Sequence, residues 1–263
     1  RDFLKIRKRL IVGCLAAAIA VAQPVSSVFA NPQYDRRDTV AEEEFIYSAR
    51  TSGTESSRKK VNPKAWKKIN GVCYNGSGEI IPGAITRGMD VSEWQGNIDW
   101  NTVAADDVEF VMLGTRSKGA VDPYFHKNVK EASDAGVRVG AYIYSLATTP
   151  QMAVEEADFV LDLVKDYPIS FPIAFDAEDS STLGSLPPAQ VTEIINAFCE
   201  RVEAAGYYPM VYANDYWLAN KIDMTNMHYD VWVARYEVKH NFSDPIMWQA
   251  TSTGSIEGIS GNV

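Results

Sequence analysis

Phe171-Pro172-Ile173-Ala174-Phe175-Asp176-Ala177-Glu178 is an apolar run that ends abruptly in two carboxylates. Such a run suits a strand buried on both faces, as in a parallel sheet covered by helices. The flanks agree. Residues 150–166 carry Ala153, Ala157, Val160, Leu161 and Val164 at helical spacing, and residues 188–205 carry Val191, Ile194, Ile195, Phe198 and Val202 likewise. Helix, buried strand and helix in succession are one section of an alternating α/β chain.

The alternation extends in both directions. Short apolar stretches at 87–92, 109–115, 138–145, 172–179, 208–213, 230–236 and 245–250 read as strands. A third amphipathic helix at 123–135 has Phe125, Val129 and Ala132 on one face, and Gly136 and Gly206 stand where helix C-caps belong. Seven strands in so short a span favour a barrel over an open sheet. The spacing tightens late: sixteen residues separate Ala213 from Asp230, and eight separate Tyr236 from Pro245. The expected fold class is therefore α/β, an irregular TIM-like β/α barrel with shortened or missing late helices.

The 263 residues are 46% hydrophobic and 22% charged, with a formal net charge of −9. That balance describes a globular protein and speaks against nucleic acid as a partner, since a polyanion selects a basic face. Residues 1–30 are different in kind. Arg1, Lys5, Arg7, Lys8 and Arg9 precede an uncharged run from Leu10 to Ala22, and Val28-Phe29-Ala30 offers a cleavage site. This order reads as a signal peptide, implying a secreted or cell-wall associated protein with no stable membrane partner after its removal. A retained N-terminal membrane anchor is the alternative. Residues 31–85 read as a linker or stalk, with a short hairpin around Asn75-Gly76-Ser77-Gly78, and residues 86–263 as the main domain. Cys73 and Cys199 are left for a compartment that permits disulfides, but Cys199 falls on an apolar helix face and reads as a buried free thiol. His126, His228 and His240 are scattered, so neither a metal site nor another cofactor is expected.

In a β/α barrel, reactive groups gather at the carboxyl ends of the strands. Here those ends carry Asp90; Thr115 and Arg116; Tyr142, Tyr144 and Ser145; Asp176 and Glu178; Tyr212 and Asn214; Trp232, Arg235 and Tyr236; and Trp248 with Gln249. Asp176 and Glu178, two residues apart, point the same way about 6.6 Å apart at roughly 3.3 Å per residue. With Asp90 beside them they cannot all ionise freely, so one keeps its proton near neutral pH. A proton donor beside a carboxylate is what glycosidic cleavage needs. Asp90, Asp176 and Glu178 are the catalytic candidates. Tyr142, Tyr144, Tyr212, Asn214, Trp232, Tyr236, Trp248 and Gln249 are the substrate-binding candidates. Against this stands a solvated acidic loop, because Asp179-Ser180-Ser181-Thr182 follows at once. Trp100 reads as core, while Trp232 and Trp248 suit the core or the cleft equally.

Several of these segments resemble the lysozymes of glycoside hydrolase family 25. Arg87-Gly88-Met89-Asp90-Val91-Ser92-Glu93-Trp94-Gln95-Gly96 is similar to the family's opening strand, and Val121-Asp122-Pro123-Tyr124-Phe125 through Tyr142 to its second helix and third strand. Asp176-Ala177-Glu178 matches its Asp-x-Glu, and the likeness runs to Gly258-Ile259-Ser260-Gly261-Asn262-Val263. The resemblance implies a muramidase acting on peptidoglycan glycan strands without a cofactor. Glu178 would be the general acid, Asp176 would assist through the substrate's acetamido group, and Asp90 would hold charge balance and substrate position. Tyr142, Tyr212 and Trp232 would line the groove. Two departures stand out. The family continues past Gly-Asn-Val to an Asp of the acidic cluster, whereas this sequence stops at Val263, so a terminal strand and its carboxylate are expected beyond it. Arg116 and Lys118 add charge at the second strand end, read as solvated surface ahead of a role in subsite preference. A non-catalytic wall-binding protein on the same scaffold is the rival from another class. A chitin-type glycosidase stays open, while an amidase or endopeptidase lacks its metal site or Cys/His pair.

Overall fold

The computed structural model describes residues 62–237, 239–243 and 245–263. The signal-peptide reading and the linker up to residue 61 lie outside them. The described chain opens with an antiparallel hairpin of β1 (Lys67–Ile69) and β2 (Val72–Tyr74). Its turn is Asn70-Gly71, both at positive φ (51° and 80°), the backbone that a two-residue hairpin loop requires. Asn75 then organises a second turn by accepting hydrogen bonds at Oδ1 from the amides of Ser77 and Glu79, which returns Ile80 to Tyr74 as a single bridge. The hairpin is pinned to the main body by the Lys68–Glu109 ion pair at 2.5 Å.

The main body alternates as expected: β3 (Gly88–Val91), α1 (Trp100–Ala105), β4 (Phe110–Gly114), the small hairpin β5 (Arg116–Ser117) and β6 (Ala120–Val121), α2 (Phe125–Asp134), β7 (Arg138–Tyr144), α3 (Pro150–Val164), β8 (Ile169–Asp176), α4 (Pro188–Ala204), β9 (Pro209–Asn214), α5 (Asp215–Asn220), β10 (Val231–Ala234) and β11 (Met247–Gln249). The seven strands β11-β10-β9-β8-β7-β4-β3 form one parallel sheet that curves into a nearly closed barrel. The late helices are short, as the spacing implies: α5 has six residues. The small α1 and the β5–β6 hairpin went unread in the sequence. α1 is set by Asp99, whose side chain accepts from the Thr102 amide. The two capping glycines, Gly136 and Gly206, both have positive φ. Cys73 and Cys199 are free and buried.

Each strand spends one face on the helices and the other on the lumen. Val111, Leu113, Ile173, Phe175, Val211, Ala213, Val231 and Val233 belong to the large outer core, where Phe175 meets Phe198 of α4 edge-on at 5.1 Å. Their alternates Phe110, Met112, Ala174, Met210, Tyr212, Trp232 and Ala234 form a separate cluster inside the barrel, joined by Tyr142, Phe171 and Met247.

The lower lumen is tightly filled. β8 (Ile169–Asp176) starts and stops three residues earlier than the stretch 172–179 read from the sequence, and it bulges: Val139 pairs with Ile169 but Ala141 pairs with Ile173. The extra residues bring Phe171 inward to stack on Phe110 at 4.5 Å and place Pro172 where no ladder amide is needed. Glycines make the room. A Cβ on Gly88 would lie 2.4 Å from the Phe110 ring, and one on Gly140 would lie 2.5 Å from Met112 Sδ and 2.6 Å from the Pro172 carbonyl oxygen. Gly140→Ala should therefore cost about 2 kcal/mol by overpacking. Urea unfolding of the variant beside the parent checks this, and an unchanged midpoint would mean that the bulge yields freely.

Candidate active site

Above the plug the lumen turns polar. Asp90 closes in from β3, Tyr142 from β7, Asp176 from β8, Tyr212 from β9 and Trp232 from β10, and together they line a pocket at the carboxyl end of the sheet. Alternation puts them there: Tyr142 and Ala174 are register partners, and Asp176 and Tyr212 are partners one step higher. Trp232 presents its edge relations to both neighbours, 6.2 Å from Tyr142 and 4.6 Å from Tyr212 between ring centres. The aromatic rings floor and wall the pocket, and the carboxylates stand at its rim.

Hydrogen bonds hold the acids in place. Asp176, only 8% exposed, accepts at Oδ1 from the Glu178 amide at 3.2 Å. Glu178 accepts at Oε1 from the Asn214 amide at the start of α5. Asp90 accepts at Oδ1 from Gln249 Nε2 at 2.5 Å, a contact between β3 and β11, the two ends of the described sheet. Gln249 Oε1 in turn accepts from Tyr212 Oη at 2.7 Å and Tyr236 Oη at 3.0 Å.

The electrostatics follow from burial and crowding. Burial pushes the Asp176 carboxyl well above the usual carboxylate range, and the charges of Glu178, Asp90 and Asp179 add to the push. Burial also raises Asp90, against the pull of the Gln249 hydrogen bond. Tyr142 and Tyr212 are raised by burial and then by the same carboxylates, and Tyr236 is pushed up to about 12, so all three remain neutral phenols near neutral pH. Asp179 goes the other way. Its desolvation is outweighed by hydrogen bonds from Ser181, Thr182 and Tyr144, which hold it at about 2. A fixed anion thus sits beside a carboxyl that resists ionising, the pattern of an acid–base site.

The remaining sequence candidates take varied places. Tyr144 is exposed and donates its hydroxyl to Asp179 Oδ2 at 3.0 Å. Asn214 turns its side chain to cap α5, accepting from the Trp217 amide. Trp248 lies between Met247 and Gln249 and so faces outward, against the outer core, with its Nε1 donating to the Arg235 carbonyl. Trp100 is buried core. Trp94, just past the end of β3, is 81% exposed. Arg116 corrects an expectation: it is not solvated surface but donates to Glu156 Oε1 and to the Tyr144 carbonyl, both at 2.7 Å. Glu156, missed in the sequence, also accepts from Ser145 Oγ and the Leu146 amide, and so fixes the end of β7 beneath Tyr144. A signal for it existed, since Glu156 interrupts the apolar stripe of Ala153, Ala157 and Val160. Lys118 stays exposed. Among the described residues no group of three His, Cys, Asp or Glu could hold a metal ion.

Comparison with known proteins places this geometry. The family profile described as Glycosyl hydrolases family 25 matches residues 89–259. An uncharacterized protein, YegX, of Escherichia coli O157:H7 is 29% identical over 195 residues, 70% of each chain. The autolytic lysozyme of Clostridium acetobutylicum is 26% identical, over 67% of this chain and 53% of its own. Among solved structures, the modular autolysin LytC of Streptococcus pneumoniae superposes with a TM-score of 0.65 at 25% identity, covering 77% of this chain and 51% of that one. That autolysin has also been solved with a synthetic peptidoglycan ligand. The present chain therefore spans about half the length of either autolytic protein.

The raised Asp176 carboxyl fixes the sign of one pH effect. Between the ordinary Asp value and its own, the folded protein binds more protons than the unfolded chain, so stability falls as pH rises through that window. Asp176→Asn removes the penalty. The variant should gain stability over the parent from about pH 4 to about pH 8, read from urea melts at both ends; a constant gap would show that Asp176 ionises as freely folded as unfolded.

Proposed function

The chain belongs to family 25 of the glycosyl hydrolases, and from that premise we propose that it is a lysozyme cutting the β-1,4 bond between N-acetylmuramic acid and N-acetylglucosamine in peptidoglycan. The observation that carries the reading is the convergence of Asp90, Asp176 and Glu178 on one aromatic-walled mouth. A lysozyme-named relative and an autolysin solved with a peptidoglycan ligand support it. In this reading Glu178 protonates the departing glycosidic oxygen. Asp176 orients the acetamido group at the reacting sugar, and Asp90 supplies negative charge against the developing oxocarbenium ion. Tyr142, Tyr212 and Trp232 give the pyranose ring flat apolar surfaces with hydroxyl edges. Residues 86–263 form the catalytic unit and residues 31–85 the stalk leading to it. Peptidoglycan lies outside the cell membrane, which accords with residues 1–30 directing secretion or wall association.

Digestion of purified peptidoglycan by the chain, followed by borohydride reduction and mass spectrometry, tests this. New reduced muramic acid ends are expected from the parent. Glu178→Gln should lower the rate by on the order of 10³-fold, the range for loss of a general acid. Reduced glucosamine ends would reassign the bond. Intact glycan with undiminished sedimentation of the protein on walls would make it a binding protein on this scaffold.

A further inference from the structure

Gln249 stood among the sugar-binding candidates, yet the structure commits its amide elsewhere. Its nitrogen end donates to Asp90 and its oxygen end accepts from two phenols. A primary amide offers donors at one end and acceptors at the other. Tyr212 and Tyr236 remain protonated near neutral pH, so both can keep donating to Oε1. With the oxygen end claimed, the nitrogen end must face Asp90, and a group that receives an N–H there is favoured as the carboxylate. Turning the amide over would present Oε1 to Asp90, which only a protonated Asp90 could satisfy.

Among the described residues three carboxyls share this mouth, and their mutual repulsion disfavours ionising all of them together. The proton goes where the anion is least supported. Asp176 is nearly buried and receives the Glu178 amide at 3.2 Å, whereas Asp90 receives the Gln249 amide at 2.5 Å. The groups facing Asp90 are Tyr142 from β7, Asp176 and Glu178 from β8 and the residues after it, and Tyr212 from β9. Trp232 and Tyr236 face it from β10 and beyond, and Gln249 from β11. None of these described groups is a cation; besides Asp90's own backbone amide, the Gln249 amide is the side-chain donor that supports Asp90.

We propose that Gln249 is a positioning residue, oriented by Tyr212 and Tyr236, that holds Asp90 as the anion of the cluster and so leaves the shared proton with the Asp176–Glu178 pair. The proposal rests on the lysozyme reading for its catalytic meaning. Its physical content stands apart from turnover.

The test is a pH titration of the full chain carrying ¹³C-labelled aspartate side-chain carboxyls, with the Asp90 signal identified by its loss in Asp90→Asn. Gln249→Met keeps the length of the side chain and removes the amide. Its Asp90 midpoint should rise by about one pH unit, the scale of a lost charge-assisted hydrogen bond, while the Asp176 midpoint falls as its neighbour loses charge. Tyr236→Phe leaves the Gln249–Asp90 contact in place but removes one of the two phenols that hold Oε1, so it should move Asp90 the same way by less. It also serves if Gln249→Met fails to fold. In peptidoglycan digestion the acid limb of kcat/KM should climb with the Asp90 midpoint, at little change in KM. An Asp90 midpoint that stays put or falls in both variants overturns the proposal, as does a loss confined to KM with a fixed acid limb. An inactive parent whose Asp90 midpoint still responds would count against the lysozyme reading alone.

Discussion

A parallel strand has two faces, and in a barrel one of them must be filled from inside with side chains of the right size. The stacked pair Phe110–Phe171 meets that demand here, with Met112 and Met210 above it and glycines at 88 and 140 where any side chain would collide. Protein interiors tolerate little empty space. The bulge in β8 follows from this, because it is what turns Phe171 inward. The upper half of the lumen can then be polar without flooding the barrel, since the apolar plug carries the packing beneath it.

The polar layer obeys a second rule, that a buried charge must be supported or given up. Asp179 is supported by several donors, which hold its carboxyl down at about 2. Asp90 is supported by Gln249. Asp176 sits between them, deep and crowded by like charge, and gives its charge up most readily. A graded set of acids results from their placement, with no cation among the described groups that face Asp90. Outside the mouth, the Arg116–Glu156 pair does for the end of β7 what packing does for the lumen. It holds Tyr144 at the level of Asp179.

Much of the barrel was legible before any coordinates. Seven apolar stretches and three amphipathic stripes carried strong periodicity, and each became a strand or a helix of the barrel. What escaped were pieces too short for periodicity to register, α1 and the β5–β6 hairpin. For the candidate site, residue type and strand-end position sufficed to name the acids and the aromatic residues of the pocket. They did not distinguish Trp232 from Trp248, because which of two neighbouring strands' faces looks inward depends on register: Trp232 pairs with Met247, so Trp248 looks out. Nor did they show that Asn214 spends its side chain on a helix cap, or that Arg116 has a buried partner forty residues away.

By itself the sequence determined the alternation of elements, the apolar faces and the chemical identity of the strand ends. Those properties reside in local patterns, and a two- or 3.6-residue period is readable wherever it runs long enough. Only the tertiary structure decided how far each acid is buried, which anion lies beside which, and that Gln249 joins β11 to β3. Burial, charge proximity and hydrogen-bond direction are relations between residues up to 159 positions apart, and no local pattern encodes a distance of that kind.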